Sequence, residues 1–303
     1  MGFSRTKDRV FAGYETLSGW LSRRPRPVRM AVYKTFGAVF WAAYGLPGNS
    51  VRPTLKALAG RAGEGSPTAL FRRYVRHFLT GTDMAERVRH GFGAELDGRL
   101  TIPDKARLDG LLQERGVFLA LPHLHASFAM VYCLSHQYPM LAVVSLTRNP
   151  ARAAAQRALY DQAGCEILDV RSETPQAVAR AILGALKSGK IVAGTVDRIQ
   201  GAPEAAIDRD RDVVRATAFG SPVGFGGWPT RFAAKAGAPI VPAMVEQTED
   251  GVGLILGEAS HPNSDLAAST QAWVAELENL VLAHPHEWAF CLDKHWSRVL
   301  RAE

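Results

Sequence analysis

The feature that most constrains the fold is an alternation of apolar runs and helical patterns downstream of residue 115. Apolar, β-branched runs occur at residues 116–123, 140–146, 165–170, 190–197 and 238–245. Helical patterns lie between most of them, at residues 150–163, 175–189 and 230–237. Segments that alternate in this way form crossover units, in which helices cover both faces of a mainly parallel sheet. The sequence therefore predicts an α/β fold with a mainly parallel central sheet flanked by helices.

Helical patterns also lie on either side of this region. Residues 66–115 are predicted to be helical, and a long helical pattern occupies residues 267–285. The sequence contains no internal repeat, and its one irregular stretch, residues 200–215, is rich in charge and is predicted to be a mobile loop. We expect a basic, helical N-terminal extension over residues 1–65 and a single α/β domain over residues 66–303.

Positive charge is concentrated in the first part of the chain. Residues 1–110 contain 19 Lys and Arg against 9 Asp and Glu, whereas residues 111–303 contain 17 against 20. This asymmetry predicts docking to an anionic phospholipid surface or an acidic carrier protein, with a merely solubilising basic face as the alternative. Zinc-finger spacing and the aromatic-basic motif of RNA-binding sheets are absent from the sequence, so we expect no nucleic-acid partner.

An uncharged, aromatic-rich segment follows the first arginines. This run, "TFGAVFWAAYGL" at residues 35–46, has 12 residues, whereas a helix that spans a bilayer needs about 20. It also begins too far behind charged residues for an ordinary secretory signal. Phe36, Phe40, Trp41 and Tyr44 fit a helix lying at a membrane interface, with an ordinary core helix as the alternative. We expect the N-terminal extension to contact an anionic membrane surface.

Two histidines follow the first apolar run, in "LPHLHASFAM" at residues 121–130. Open parallel sheets bind ligands beyond the C-terminal ends of their strands. His123 follows one predicted strand and Asp197 follows another, so both titratable side chains are predicted at the same edge of the sheet. His123 is the predicted catalytic base, with a core or capping histidine as the alternative. The role of His125 is left open between a site residue and a residue that satisfies free N–H groups at the start of the next helix.

The three cysteines, Cys133, Cys165 and Cys291, have no metal-binding or redox spacing. We expect small, reduced core residues and no disulfide framework.

Several motifs occur in an order that is similar to one known family. After the "PH" of the first strand come "RNP" at residues 148–150, "SGKIVAGTVDR" at 188–198, "AFGSPVGFGGWPTRFAAKAGAPIVPA" at 218–243 and "HPHEWAFCLDKHW" at 284–296. Together they resemble the bacterial lipid A biosynthesis acyltransferases, a branch of the lysophospholipid acyltransferase superfamily, over about residues 28–298. The resemblance implies an α/β sheet with an N-terminal membrane-contacting helix. It also implies a place at the cytoplasmic face of the bacterial inner membrane, peripheral or anchored by the N-terminus.

The resemblance implies transfer of an acyl chain from an acyl-carrier-protein (acyl-ACP) or coenzyme A (acyl-CoA) thioester to an acceptor. The family's hallmark is a histidine, four residues and then an acid. The histidine takes the acceptor's proton, and the acid holds the imidazole in the right tautomer. No metal or other cofactor is implied. His125, Arg148 and the pair Gly226 and Gly227 are further candidates for substrate binding.

Two positions depart from this pattern. Phe128 stands where the acid is expected, cannot accept the imidazole N–H, and is instead a candidate for the wall of the substrate site. Tyr160 stands where an arginine is expected, and Arg157, one helical turn earlier, can cover the same face. Asp197 matches the family's later acidic residue.

Three functions are therefore compatible with the sequence. The first is an acyltransferase whose His123 is oriented by Asp197 or, as second choice, Asp293, acting on a hydroxyl or amine of a lipid, glycolipid or specialised metabolite. The second is a catalytically degenerate relative that binds acyl chains or an acyl carrier. The third is a peripheral membrane protein without acyl specificity. The retained His123 favours the first function, and Phe128 favours the second.

Overall fold

Short buried strands alternate with helices along most of the chain, as the sequence predicts. The structure, a computed structural model, describes residues 13–200, 207, 210, 212–248 and 251–302. The strands are β1 (Leu100–Thr101), β2 (Val117–Leu121), β3 (Met140–Val144), β4 (Ile167–Asp169), β5 (Ile191–Thr195), β6 (Ile199–Gln200), β7 (Val213–Ala218), β8 (Ser221–Gly226), β9 (Ile240–Gln247) and β10 (Val252–Leu256). The helices are α1 (13–22), α2 (Arg26–Gly45), α3 (Val51–Arg61), α4 (Pro67–Arg89), α5 (Lys105–Glu114), α6 (Ser127–Ser135), α7 (Pro150–Gln162), α8 (Pro175–Lys187), α9 (Trp228–Ala236), α10 (Leu266–Ala283) and α11 (Lys294–Arg301).

The central sheet has the strand order β1-β10-β9-β2-β5-β3-β4. Neighbouring strands in it run parallel, except that β10 pairs antiparallel with β9. Strand β2 is buried at every position, because helices cover both faces of the sheet; this is why its sequence is a continuous apolar run. The predicted α/β fold with a mainly parallel sheet flanked by helices is confirmed.

A second, antiparallel sheet was not predicted. Strands β6, β8 and β7 form it, and β7 begins at Val213, so the end of the predicted loop at residues 200–215 is a strand. Residues 201–206, 208, 209 and 211 of that loop lie outside the described residues. Phe219 and Gly220 make the tight turn between β7 and β8, both with positive φ, as in a type I′ turn. The "FG" dipeptide of the sequence is therefore a hairpin turn.

Helix α2 is longer than the uncharged run that predicted it. The helix begins at Arg26, between Pro25 and Pro27, because proline is well tolerated at the start of a helix. Its first turns therefore lie among the arginines that precede the uncharged run. Three of its aromatic residues, Phe40, Trp41 and Tyr44, pack against Phe71 and Phe78 of α4. Other large apolar residues of this segment are exposed to water, among them Phe36 and Val39 in α2 and Leu46 just after its end.

Across the described part of the chain, no helix combines the length and the apolar character that a membrane span requires. The N-terminal helices share one hydrophobic core with the central sheet. Cys133, Cys165 and Cys291 are buried, as expected for small core residues.

Candidate active site

The register of two neighbouring strands brings His123 and Asp197 together. Leu121 at the end of β2 is paired with Thr195 at the end of β5. His123 and Asp197 each lie two residues beyond this pair, so both side chains emerge at the same edge of the sheet. His123 Nδ1 lies 2.5 Å from Asp197 Oδ1, and the His123 backbone N–H donates to Asp197 Oδ2 at 2.9 Å. The predicted partnership is present in the structure.

The hydrogen bond to Asp197 determines which ring nitrogen of His123 can act as a base. A carboxylate only accepts hydrogen bonds, so Nδ1 of His123 carries a proton and Nε2 keeps a lone pair. The Asp197 side chain is 2% exposed, whereas the His123 side chain is 24% exposed. A buried acid thus orients a base that solvent or substrate can reach, which is the arrangement that general-base catalysis needs.

Two tryptophans hold the acid in place. Trp288 Nε1 donates to Asp197 Oδ2 at 2.9 Å, and Trp296 Nε1 donates to the backbone oxygen of Asp197 at 2.7 Å. The carboxylate of Asp197 therefore accepts three hydrogen bonds despite its burial, one from Trp288 and two from His123. These bonds satisfy the buried carboxylate oxygens and fix the orientation of the acid.

The segment after Trp288 also covers the histidine ring. Phe290 stacks on His123 with ring centroids 3.7 Å apart and planes within 3° of parallel. Ala289 N–H donates to the His123 backbone oxygen at 2.8 Å, and the Arg198 guanidinium lies over the Phe290 ring, 5.7 Å from its centre. Sequence reasoning assigned no role to Phe290, Trp288 or Arg198, although all three lie in motifs that carry the family resemblance.

His123 borders a cavity of about 380 Å³ beyond the sheet edge. The cavity lies between β2, β3, β5, α6 and α7, and most of its wall is apolar. Its apolar side chains are Leu121, Leu124, Phe128, Met130, Val131, Val143, Val144, Leu146, Leu159 and Tyr160. The polar residues Ser127, Ser145, Gln156 and Thr195 line the rest. A cavity of this kind suits an alkyl chain with its reactive end at the histidine.

The two residues that depart from the family pattern contact each other in this cavity. Phe128 and Tyr160 meet edge to face, with ring centroids 5.3 Å apart. Burial raises the pKa of Tyr160 to about 12, so its hydroxyl stays protonated at neutral pH. As the sequence suggested for Phe128, both side chains are part of the cavity wall.

His125 lies behind the site and does not line the cavity. Its ring packs edge-on against Tyr74 and Phe78, and its backbone N–H donates to the Glu287 backbone oxygen. Burial lowers the pKa of His125 to about 4, and Nε2 has no hydrogen-bond partner among the described residues. The ring is therefore neutral at pH 7 and offers no positive charge to a substrate.

The remaining candidates do not line the cavity. Arg157 pairs with Asp169 at 3.4 Å, and Arg148 is exposed in the loop before α7. Gly226 and Gly227 join β8 to α9, where a Cβ on Gly227 would come within 2.9 Å of Val214. Asp293 caps α11 by accepting from the His295 N–H, so it is not the partner of His123.

A second group of titratable side chains lies behind the site. The possible ligand atoms of His77, His286 and Glu287 fall within 4.8 Å of one another, so this group could hold a metal ion. Glu287 is already bonded, however: Oε1 accepts from His77 Nδ1 and from the Gln247 backbone N–H, both at 2.7 Å. These bonds indicate a hydrogen-bond network around Glu287 rather than a metal site. The side chains of His123 and Asp197 are not members of this network.

Comparison with known proteins identifies the family of the chain. A search of curated proteins finds no match. The family model of the bacterial lipid A biosynthesis acyltransferases matches residues 19–298, nearly the whole chain, including the strand ends with His123 and Asp197 and the tryptophans that hold the acid. The chain therefore belongs to the bacterial lipid A biosynthesis acyltransferase family.

Proposed function

We propose that the protein transfers a fatty acyl chain from an acyl-ACP or acyl-CoA thioester to a hydroxyl or amine of a lipid, glycolipid or specialised-metabolite acceptor. The observation that carries this proposal is the His123–Asp197 pair at the border of an apolar cavity. The family supports acyl transfer in general.

The reaction uses Nε2 of His123 as a proton carrier. The acceptor gives its O–H or N–H proton to Nε2 while its oxygen or nitrogen attacks the carbonyl carbon of the thioester. The imidazolium then protonates the departing sulfur as the carbon–sulfur bond breaks. The products are the acylated acceptor and the free thiol of the donor. Asp197 stays ionised and stabilises the imidazolium that forms between the two steps.

The apolar cavity supplies the binding energy for the acyl tail. Each methylene group that moves from water into an apolar site contributes about 0.8 kcal/mol. The wall between α6 and α7, where Phe128 and Tyr160 lie, contains no charged side chain among the lining residues that the structure describes. A chain bound there would have its thioester at the end nearest His123.

We also propose that the protein works at the cytoplasmic face of the bacterial inner membrane as a peripheral protein. Phe36 and Val39 of α2 and Leu46 just after its end are 47%, 66% and 62% exposed, respectively. An exposed apolar face next to a basic segment suits a helix that lies in the interface plane of an anionic membrane.

One observation favours a second candidate function. Phe128 occupies the position of the family's acid, and among the described residues Asp197 is the one acid that orients the imidazole. A protein that binds acyl chains or an acyl carrier without turning them over would tolerate this replacement. The two candidates differ in whether the thioester is cleaved.

The test is turnover of an acyl-CoA or acyl-ACP thioester with membrane lipid extract, followed by thiol release and by mass spectrometry of the acylated lipid. We expect His123→Ala to lower the rate by about a hundredfold to ten-thousandfold, the usual contribution of a positioned base. His261→Ala, at an exposed histidine, is the matched control and should keep the wild-type rate. Turnover that survives in His123→Ala would refute the assigned base, and acyl binding without wild-type turnover would establish the second candidate.

A further inference from the structure

An arginine-rich pocket lies on another part of the molecule. It has a volume of about 450 Å³ and is formed by the turn between α1 and α2, one face of α4 and the segment after α4. Six arginines and two carboxylates line this pocket, so the lining carries an excess of four positive charges. We call it the arginine pocket.

The carboxylates of the arginine pocket belong to its framework. Arg29 Nε and Nη2 donate to the two oxygens of Asp83 at 2.7 and 2.8 Å, and both side chains are buried. Arg87 pairs with Glu95 and also donates to the Ser22 backbone oxygen. These two ion pairs hold the walls together, and Arg23 and Arg24 add exposed positive charge to the lining.

Arg23 and Arg24 bring exposed charge to the rim of the pocket. Both side chains are exposed on the turn before α2, and neither has an acidic partner among the residues that the structure describes. Arg24 lies over the ring of Trp20, 4.6 Å from its centre, and Trp20 is itself 46% exposed. Val28, on the first turn of α2, is 42% exposed. The pocket thus has excess positive charge, and the helices on either side of its turn each carry an exposed large apolar side chain, Trp20 in α1 and Val28 in α2.

The arginine pocket is separate from the catalytic cavity. Thr80, Asp83 and Arg87 repeat at helical spacing along the face of α4 that lines the arginine pocket. Gly81 and Ala85 lie on a different face: a Cβ on Gly81 would clash with the His125 backbone, and Ala85 lines the catalytic cavity. A ligand in the arginine pocket would therefore not contact His123.

We propose that the arginine pocket binds the phosphate group of a membrane lipid. Guanidinium groups match phosphate geometry, and each basic residue near an anionic surface adds to the attraction. The exposed Trp20 and Val28 favour a phosphate that is attached to acyl chains over a free phosphate ion, because they would meet the apolar layer beneath the headgroup. This inference rests on the proposed membrane contact and gives it a defined site.

The test measures binding to phosphatidylcholine vesicles that contain phosphatidic acid, for wild type and for the double variant Arg23→Gln/Arg24→Gln. Arg180→Gln/Lys187→Gln removes the same charge from exposed positions on α8 and is the matched control. We expect the pocket variant to bind about tenfold or more weakly than the control, in line with the known contribution of basic residues at anionic membranes. Equal weakening in both variants would overturn the proposal.

Three further arms separate the possible ligands. Vesicles made equally anionic with oleic acid should bind more weakly than those with phosphatidic acid; equal binding would show recognition of charge alone and overturn the proposal. Inorganic phosphate should compete only at concentrations that also screen charge, so competition at lower concentrations would identify a free anion as the ligand and overturn it. Loss of binding to an acidic carrier protein, with vesicle binding unchanged, would also overturn it.

The same samples distinguish this inference from the proposed function. The pocket variant should cleave a soluble acyl-CoA at the wild-type rate, because the arginine pocket does not contact His123. His123→Ala should lose cleavage and keep vesicle binding. A failed vesicle test with normal cleavage would thus reject the lipid site alone.

Discussion

At the scale of single residues, the two departures from the family pattern occur at one contact. Where an acid and an arginine are expected, the cavity has Phe128 and Tyr160, packed edge to face. If only one of the two positions kept its charge, that charge would lie in an apolar wall without a partner, which is costly. Replacement of both by aromatic residues avoids this cost and leaves Asp197 as the acid that orients His123.

This contact predicts coupling between residues 128 and 160. Phe128→Glu alone should lower the free energy of unfolding by about 2–4 kcal/mol, because the new carboxylate has no cation beside it. Adding Tyr160→Arg should recover part of the loss, since the two charges can pair, with a coupling energy of about 0.5–3 kcal/mol. Urea unfolding of the wild type, both single variants and the double variant measures this coupling.

The activity of the same variants tests the assignment of the acid. Because Asp197 already orients His123, neither Phe128→Glu nor the double variant should increase thioester cleavage. A gain in activity from either one would mean that the acid at position 128 is the missing catalytic group, and that the wild-type protein is degenerate.

At the scale of elements, a short segment connects the catalytic pair to the hydrogen-bond network that Glu287 forms with His77 and Gln247. Residues 286–290 run beside residues 123–125, joined by the Leu124–Trp288 bridge and by the bond from Ala289 N–H to the His123 oxygen. One end of the segment is fixed by Glu287, and the following residues hold Asp197 and stack on His123. We therefore expect the position of the base to depend on the Glu287 carboxylate, which does not contact His123.

Glu287→Gln should show this dependence. The Glu287 side chain is fully buried. Although burial raises its pKa, bonds from His77 and the Gln247 N–H outweigh burial and hold the pKa below its ordinary value. We expect the substitution to lower the free energy of unfolding by about 1–3 kcal/mol, and to lower kcat by about tenfold to a hundredfold through misplacement of the base. KM should change little, because Glu287 does not line the cavity.

The control for this prediction is Glu258→Gln, at an acid whose side chain is 87% exposed. It should leave both the stability and kcat at wild-type values. A Glu287→Gln protein with lower stability and an unchanged kcat would show that the network supports the fold without positioning His123.

The same elements show what could be predicted from the sequence. Strands such as β2 and β5 were predicted because burial on both faces makes their sequences continuously apolar, and their ends located His123 and Asp197. The hairpin of β7 and β8 was missed, since β7 alternates buried with exposed residues beside a charged stretch. Trp288 is separated from Asp197 by 91 positions, and no local pattern reports a contact over that distance.

At the scale of the whole molecule, the N-terminal helices are joined to the distant C-terminal part of the chain. Thr54 of α3 and Ser297 of α11 share a buried hydrogen bond of 2.6 Å, and Arg61 donates to the backbone oxygens of Phe219 and Ala302. The buried pair of Arg29 and Asp83 joins α2 to α4. The predicted division between residues 1–65 and 66–303 is therefore crossed by buried polar bonds as well as by the shared core.

These connections predict that the extension and the α/β region unfold together. Far-ultraviolet circular dichroism reports all helices, whereas tryptophan fluorescence in a Trp20→Phe/Trp41→Phe background comes from the α/β region alone, where Trp273, Trp288 and Trp296 are buried. We expect the two signals to change at the same denaturant concentration, since coincident transitions are the mark of one cooperative unit. Asp83→Ala leaves Arg29 buried without its partner, so it should lower the free energy of unfolding by about 3–5 kcal/mol. Both transitions should shift equally in that variant, whereas an early loss of helical signal with unchanged fluorescence would show that residues 1–65 fold separately.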